Sequence, residues 1–89
     1  MDEITQKLVQ LREEVLGDAS LEPEVRTSLE GLFEAVIAEP TVDNVKGLAV
    51  VLEALADSEE YLGSLQTIMG NLPEAWKYFE ALDNIIKED

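Results

Sequence analysis

The chain has 89 residues, with 20 acidic side chains against six basic ones and a formal net charge of -14. It contains neither cysteine nor histidine, which removes disulfides, the usual zinc, haem and copper ligands, and the histidine bases and cysteine nucleophiles of most hydrolases. Hydrophobic residues make up 46% of the chain and recur at helical spacing, so the charge does not signal disorder, which needs low hydrophobicity as well.

A chain of this length forms one domain, here 1–89, and buries roughly 60% of the surface its unfolded form exposes. Its start lacks the basic and apolar blocks of a leader, and nowhere do eighteen apolar residues run together, so a cytoplasmic protein is expected. The acidic residues are spread along the chain. Such a surface repels phosphates and anionic headgroups, so neither direct nucleic-acid nor membrane binding is expected, and a partner protein with a basic surface is its natural complement. The same charge also serves solubility without any partner.

Ile4, Leu8, Leu11 and Val15 form a narrow stripe on a first helix over 2–16, with Gly17 placed to end it in the left-handed conformation. Asp18, Ala19 and Ser20 read as a turn. Pro23 is pre-set for the first position of a second helix over 23–38, whose stripe is Val25, Leu29, Leu32, Phe33 and Val36, with Ile37 at its margin. Pro40 stops that helix near Glu39. Beside the stripe, Ser28, Gly31, Ala35 and Ala38 make a ridge of small residues that either meets Gly47 and Ala54 inside the bundle, stands exposed, or serves self-association.

Thr41 is placed to cap a third helix over about 42–56. Val45, Leu48, Ala49, Leu52, Leu55 and Ala56 fall on one face, and Gly47, Val50, Val51 and Ala54 on much of the other, so this helix is expected to be surrounded by the rest. Asp57 with Glu60 has capping-box spacing for a fourth helix at about 58–69, whose buried side is Tyr61, Leu62, Leu65, Ile68 and Met69. Gly63 and Ser64 weaken its interior, which makes it the segment expected to be short or irregular. Gly70 is placed for a C-terminal cap, and Asn71 with Glu74 repeats the capping-box spacing. The last helix is then expected from Leu72 to about Lys87, with the stripe Leu72, Ala75, Trp76, Phe79, Leu82 and Ile86. Burial of Trp76 would make Trp76→Ala cost about 3–5 kcal/mol. Tyr78 and Ile85 fall off this stripe, where they meet a second neighbouring helix or form an apolar spot for a partner. No alternating strand pattern occurs. The fold class is therefore all-α, a compact bundle of four to five short antiparallel helices around the third.

No motif carries catalysis, a cofactor or a metal. The loops lack a calcium-binding run, and a carboxylate iron site would lack its histidines. Adjacent acids such as Glu13 with Glu14, or Glu59 with Glu60, point about 100° apart on a helix instead of facing one substrate. Asp57-Ser58 resembles the first two positions of the Asp-Ser-Leu motif of acyl carrier proteins, acidic helical domains whose serine holds a phosphopantetheine arm. Glu59 stands where the leucine would be. That resemblance, two residues long, would imply a carrier-protein-like domain modified at Ser58.

The expected function is that of a small acidic protein-binding module, an inhibitor or adaptor that engages a basic, for example nucleic-acid-binding, surface of its partner. Five of the six basic residues have acids three or four positions away (Lys7 with Glu3, Arg26 with Glu22 and Glu30, Lys46 with Asp43, Lys77 with Glu74 and Glu80, Lys87 with Asp83). Surplus acids therefore carry the field. The candidate partner-binding residues are Glu30 and Glu34 on the outer face of the second helix and Asp57, Glu59 and Glu60 at the junction of the third and fourth, although acids at a helix start also favour the macrodipole with no partner present. The alternative is a structural or assembly protein acting through self-association or apolar docking. The protein is accordingly expected as a monomer or a homodimer.

Overall fold

A computed structural model describes residues 3–87, and for Ile85, Ile86 and Lys87 the backbone alone. Five helices follow one another: α1 Glu3–Leu16, α2 Pro23–Ala38, α3 Val42–Glu53, α4 Ser58–Met69 and α5 Ala75–Lys87. There is no strand among the described residues, and the fold is the all-α bundle expected.

Local chemistry sets most of these boundaries. Pro23 opens α2 at its first turn. Glu39, just before Pro40, is extended at φ -151° and ψ 99° and closes the helix with its N–H on the Ala35 carbonyl, because a residue preceding proline avoids the helical region. Thr41 caps α3, its side-chain oxygen accepting the Asn44 N–H at 3.2 Å, and the Asn44 amide turns back onto the Glu39 carbonyl at 2.8 Å. The α2–α3 turn is thus held from both ends.

Other terminal devices differ from expectation. Neither Gly17 nor Gly70 is left-handed: no described glycine has positive φ, and both helices end on ordinary bonds, Gly17 N–H to Glu13 and Gly70 N–H to Gln66, each 3.0 Å. A Cβ on Gly70 would lie 3.1 Å from Phe79 Cζ, so glycine there serves the close approach of α5. Asp57 makes no side-chain cap bond to α4, and the Asp57–Glu60 capping box does not form. α4 is nevertheless a regular twelve-residue helix, because its buried face outweighs the weak propensity of Gly63 and Ser64. α5 starts at Ala75 instead of Leu72. Residue Glu74, at φ 59°, makes the left-handed turn before it.

Contacts define the topology. α1 packs on α2 and α4, α3 packs on α2 and α4, and α5 lies across α3 and α4 alone. The first four helices therefore close a ring of antiparallel neighbours, and α5 rides on one side of it. The Cα radius of gyration is 12.0 Å, within a slab of 34 × 34 × 19 Å. Leu8, Leu11 and Val15 of α1, Leu29, Phe33 and Val36 of α2, Val45, Leu48, Ala49 and Leu52 of α3, the five α4 residues named above and Leu82 form one core. At roughly 25 cal/mol per Å² of buried apolar surface, this cluster supplies the main favourable term in folding.

Two expectations about burial are overturned. α3 is not fully enclosed: although α2, α4 and α5 all pack on it, Val50 is 52% exposed, Ala54 is exposed, and Gly47 and Val51 are half-buried. α5 is rotated relative to the stripe read from sequence. Trp76 is 61% exposed, whereas Tyr78 packs against the core and its hydroxyl donates to the Pro40 carbonyl. Tyr78 is therefore no apolar spot for a partner, and the side chains of Ile85 and Ile86 lie outside the described residues. The small ridge of α2 is exposed at Ser28, Gly31, Ala35 and Ala38. It does not pack inside the bundle.

Candidate functional site

Antiparallel pairing of α1 and α4 brings the C-terminal turn of α1 to the N-terminal turn of α4. Tyr61, 4% exposed, marks the meeting point: its phenol is pushed above its ordinary value by burial first, then by the negative charges of Asp18, Asp57, Glu14 and Glu60. Four carboxylates from two distant segments thus act on one buried phenol. The Arg26 charge reaches Asp18, but its guanidinium donates to the backbone carbonyls of Leu16 and Asp18. It caps α1 instead of pairing with Glu22 or Glu30, as the sequence spacing suggested.

Within the cluster the carboxyls behave differently. Glu60 is held above the ordinary carboxylate range, foremost by repulsion from Glu14, then by a hydrogen bond with Glu14, loss of hydration and the Asp57 charge. An external cation placed beside Glu60 would offset that repulsion. Asp18 is held below its ordinary value by the Ser20 hydroxyl and the Ser20 N–H, at 2.7 and 2.9 Å, with Arg26 adding a smaller contribution. It is the Asx turn that an Asp two residues before a serine favours.

From this end a groove of about 620 Å³ runs between α1 and α4, walled by Glu14, Glu59 and Glu60 and floored by Leu11 and Ile68. Lys7 stands along it, already paired with Glu3 at 3.2 Å. Glu30 and Glu34 do not join the cluster. They line a second groove, of about 560 Å³, between α1 and α2, together with Arg12 and Glu13. As expected from helical geometry, Glu13 and Glu14 thus diverge to opposite sides of α1.

The structure joins Asp57, Glu59 and Glu60 but separates them from Glu30 and Glu34, and it adds Glu14 and Asp18. Both additions were missed as site residues. Lys7, Gln10, Leu11 and Glu14 follow one another at spacings of a single helical strip, which was the available sign that Glu14 faces the same neighbour as Leu11. Ser58, the serine of the carrier-protein resemblance, is half-buried at the first position of α4. Among the described residues no group of three or more acidic, histidine or cysteine side chains is arranged to hold a metal ion, and no helix is long and apolar enough to cross a membrane. What the arrangement can do chemically is accept cations: exposed carboxylates along one groove are suited to bridging guanidinium or ammonium groups.

Fold and surface together define a small acidic five-helix bundle with one acidic groove between α1 and α4 and another between α1 and α2. No protein-family model, curated protein or solved structure matches the chain.

Proposed function

We propose that the protein is an acidic binding module, an inhibitor or adaptor, whose α1/α4 end engages a basic surface on a partner protein. The observation that carries this reading is that Glu14, Glu59 and Glu60 line one groove, where the Glu14 charge pushes Glu60 above its ordinary value. Like charges held together on a surface raise the free energy of the unbound protein. An arginine or lysine placed between them removes that repulsion and gains charge-assisted hydrogen bonds. Glu59 extends the cluster along the α1–α4 groove, while Glu30 and Glu34 form a separate, secondary acidic face.

A synthetic arginine-rich helical peptide serves as probe. Titration followed by backbone amide NMR shifts should map binding to residues 14–18 and 57–60, with affinity falling as salt is raised. Charge reversal at Glu60 or Glu14 should weaken binding more than reversal at Glu24, an exposed acid on α2. Equal losses at all three positions would show that net charge alone attracts the peptide, and would defeat the assignment of the site.

A further inference from the structure

The exposed face of α3 and α5 differs in character from the rest of the surface. Among the described residues, Trp76 and Val50 are the large hydrophobic side chains left exposed, at 61% and 52%. Trp76 lies in a groove between the two helices beside Val42 and Lys46, and Val50 follows Lys46 by one turn on the same strip of α3. The Lys77 ammonium sits 5.9 Å from the centre of the indole ring, within reach of a cation–π contact, and is anchored by Glu74 at 2.8 Å.

Charge sets this face apart further. The groove carries Lys46 and Lys77 against Asp43 and Glu80, two positive and two negative, so its formal charge is zero. The α1–α4 groove carries Lys7 against Glu14, Glu59 and Glu60, and the α1–α2 groove Arg12 against Glu13, Glu30 and Glu34, each a net -2. In a chain of net charge -14, two copies can approach closely only where acid is offset by base.

We infer that the Trp76–Val50 face of α3 and α5 is a self-association surface that takes a second copy of this chain. The fit is one of charge complementarity. A two-fold axis brings the same patch of both copies together, so Lys46 and Lys77 of one copy meet Asp43 and Glu80 of the other while the two indoles and valines are covered. Aromatic anchors ringed by polar groups are the usual centre of such interfaces. The surface lies apart from the acidic α1/α4 end, which a dimer leaves open for its own partner.

The test is sedimentation velocity over a wide range of protein concentration, at about 10 mM and about 0.15 M salt. Screening shortens from roughly 30 Å to about 8 Å over that range, so dimerisation should strengthen with salt, the opposite of binding at the acidic end. Trp76→Glu and Val50→Glu, on two different helices and both at exposed positions, should each raise the dimer dissociation constant at least about tenfold with the circular dichroism unchanged. Lys77→Glu should weaken the dimer, and Lys77→Glu combined with Glu80→Lys should restore much of it. A protein that stays monomeric at millimolar concentration in 0.15 M salt overturns the inference and leaves the face to a different protein. A dimer indifferent to both glutamate substitutions overturns it in favour of another face.

Discussion

Exchanging the fates of Trp76 and Tyr78 tests the rotation of α5 directly. Tyr78 is half-buried against the core, and its hydroxyl donates to the Pro40 carbonyl across the α3–α5 contact. Tyr78→Phe removes that bond while keeping the ring, which costs about 0.5–1.5 kcal/mol for a net hydrogen bond. Unfolding entropy of roughly 2.1 cal/mol/K per residue gives about 0.19 kcal/mol/K for a chain of this length, so Tm should fall by about 3–8 °C. Trp76→Ala, at a 61% exposed position, should change stability by no more than about 0.5 kcal/mol, or about 3 °C. Thermal unfolding followed by circular dichroism at low protein concentration measures both. Trp76 is the only tryptophan, so native emission should also lie close to that of the unfolded chain. A Tm loss of more than about 15 °C for Trp76→Ala, the equivalent of about 3 kcal/mol, with Tyr78→Phe neutral and a blue-shifted native spectrum, would mean that α5 buries the face read from sequence and that the structural argument is wrong.

Helix interiors, titration and salt give three further tests. A Cβ on Gly31 or Gly63 would meet nothing within 4 Å, so Gly31→Ala and Gly63→Ala should each stabilise by about 0.5–1 kcal/mol in chemical denaturation, and a loss at either would show a contact absent from this structure. Glu60 binds its proton more tightly in the folded state than at its ordinary value of 4.5, so its favourable contribution is complete below 4.5 and disappears as pH rises through the higher folded value. Asp18 has the opposite sign: its contribution holds above 3.8 and is lost as pH falls through its lowered folded value. Stability should therefore rise as pH is lowered from 7 towards 4.5 and fall again below 3.8, with Glu60→Gln flattening the first limb and Glu24→Gln leaving it intact. Raising salt from about 10 mM to 0.15 M should increase Tm, since fourteen excess negative charges repel more strongly in the compact state than in the expanded chain; a decrease would show that local ion pairs outweigh that repulsion.

Elements with one dominant stripe and a proline or threonine at the boundary were legible in the sequence. α2 has the expected bounds, 23–38, α4 the expected 58–69, and Leu8, Leu29, Phe33 and Leu48 are buried as their spacing requires. The phase of α5 was not legible. Ala75, Phe79 and Leu82 fit a stripe that leans towards Trp76 as well as one that leans towards Tyr78, and the second is the one that packs Tyr78 on the core and brings its hydroxyl to Pro40, a residue of a remote turn. The site divides in the same way. Asp57, Glu59 and Glu60 are neighbours in the chain, but Glu14 and Asp18 reach them only through the pairing of α1 with α4. Arg26 had acids at helical spacing on both sides, and no local pattern reveals that its guanidinium turns to the Leu16 carbonyl at the end of α1 and the Asp18 carbonyl just beyond it.

The placement of α5 on a ring already closed by α1 to α4 has a consequence for how the protein opens. Because α5 touches α3 and α4 alone, it can lift away without parting any of the four contacts that close the ring, whereas opening at α1 breaks two of them. Two tiers of local stability are therefore expected in hydrogen exchange, in the sense that amide hydrogens exchange through partial openings well below the free energy of global unfolding. Amides of α5 belong to the lower tier. Those of α2 and α3, around Phe33 and Leu48, belong to the upper one, and the hydroxyl of Tyr78 on Pro40 is the latch between them.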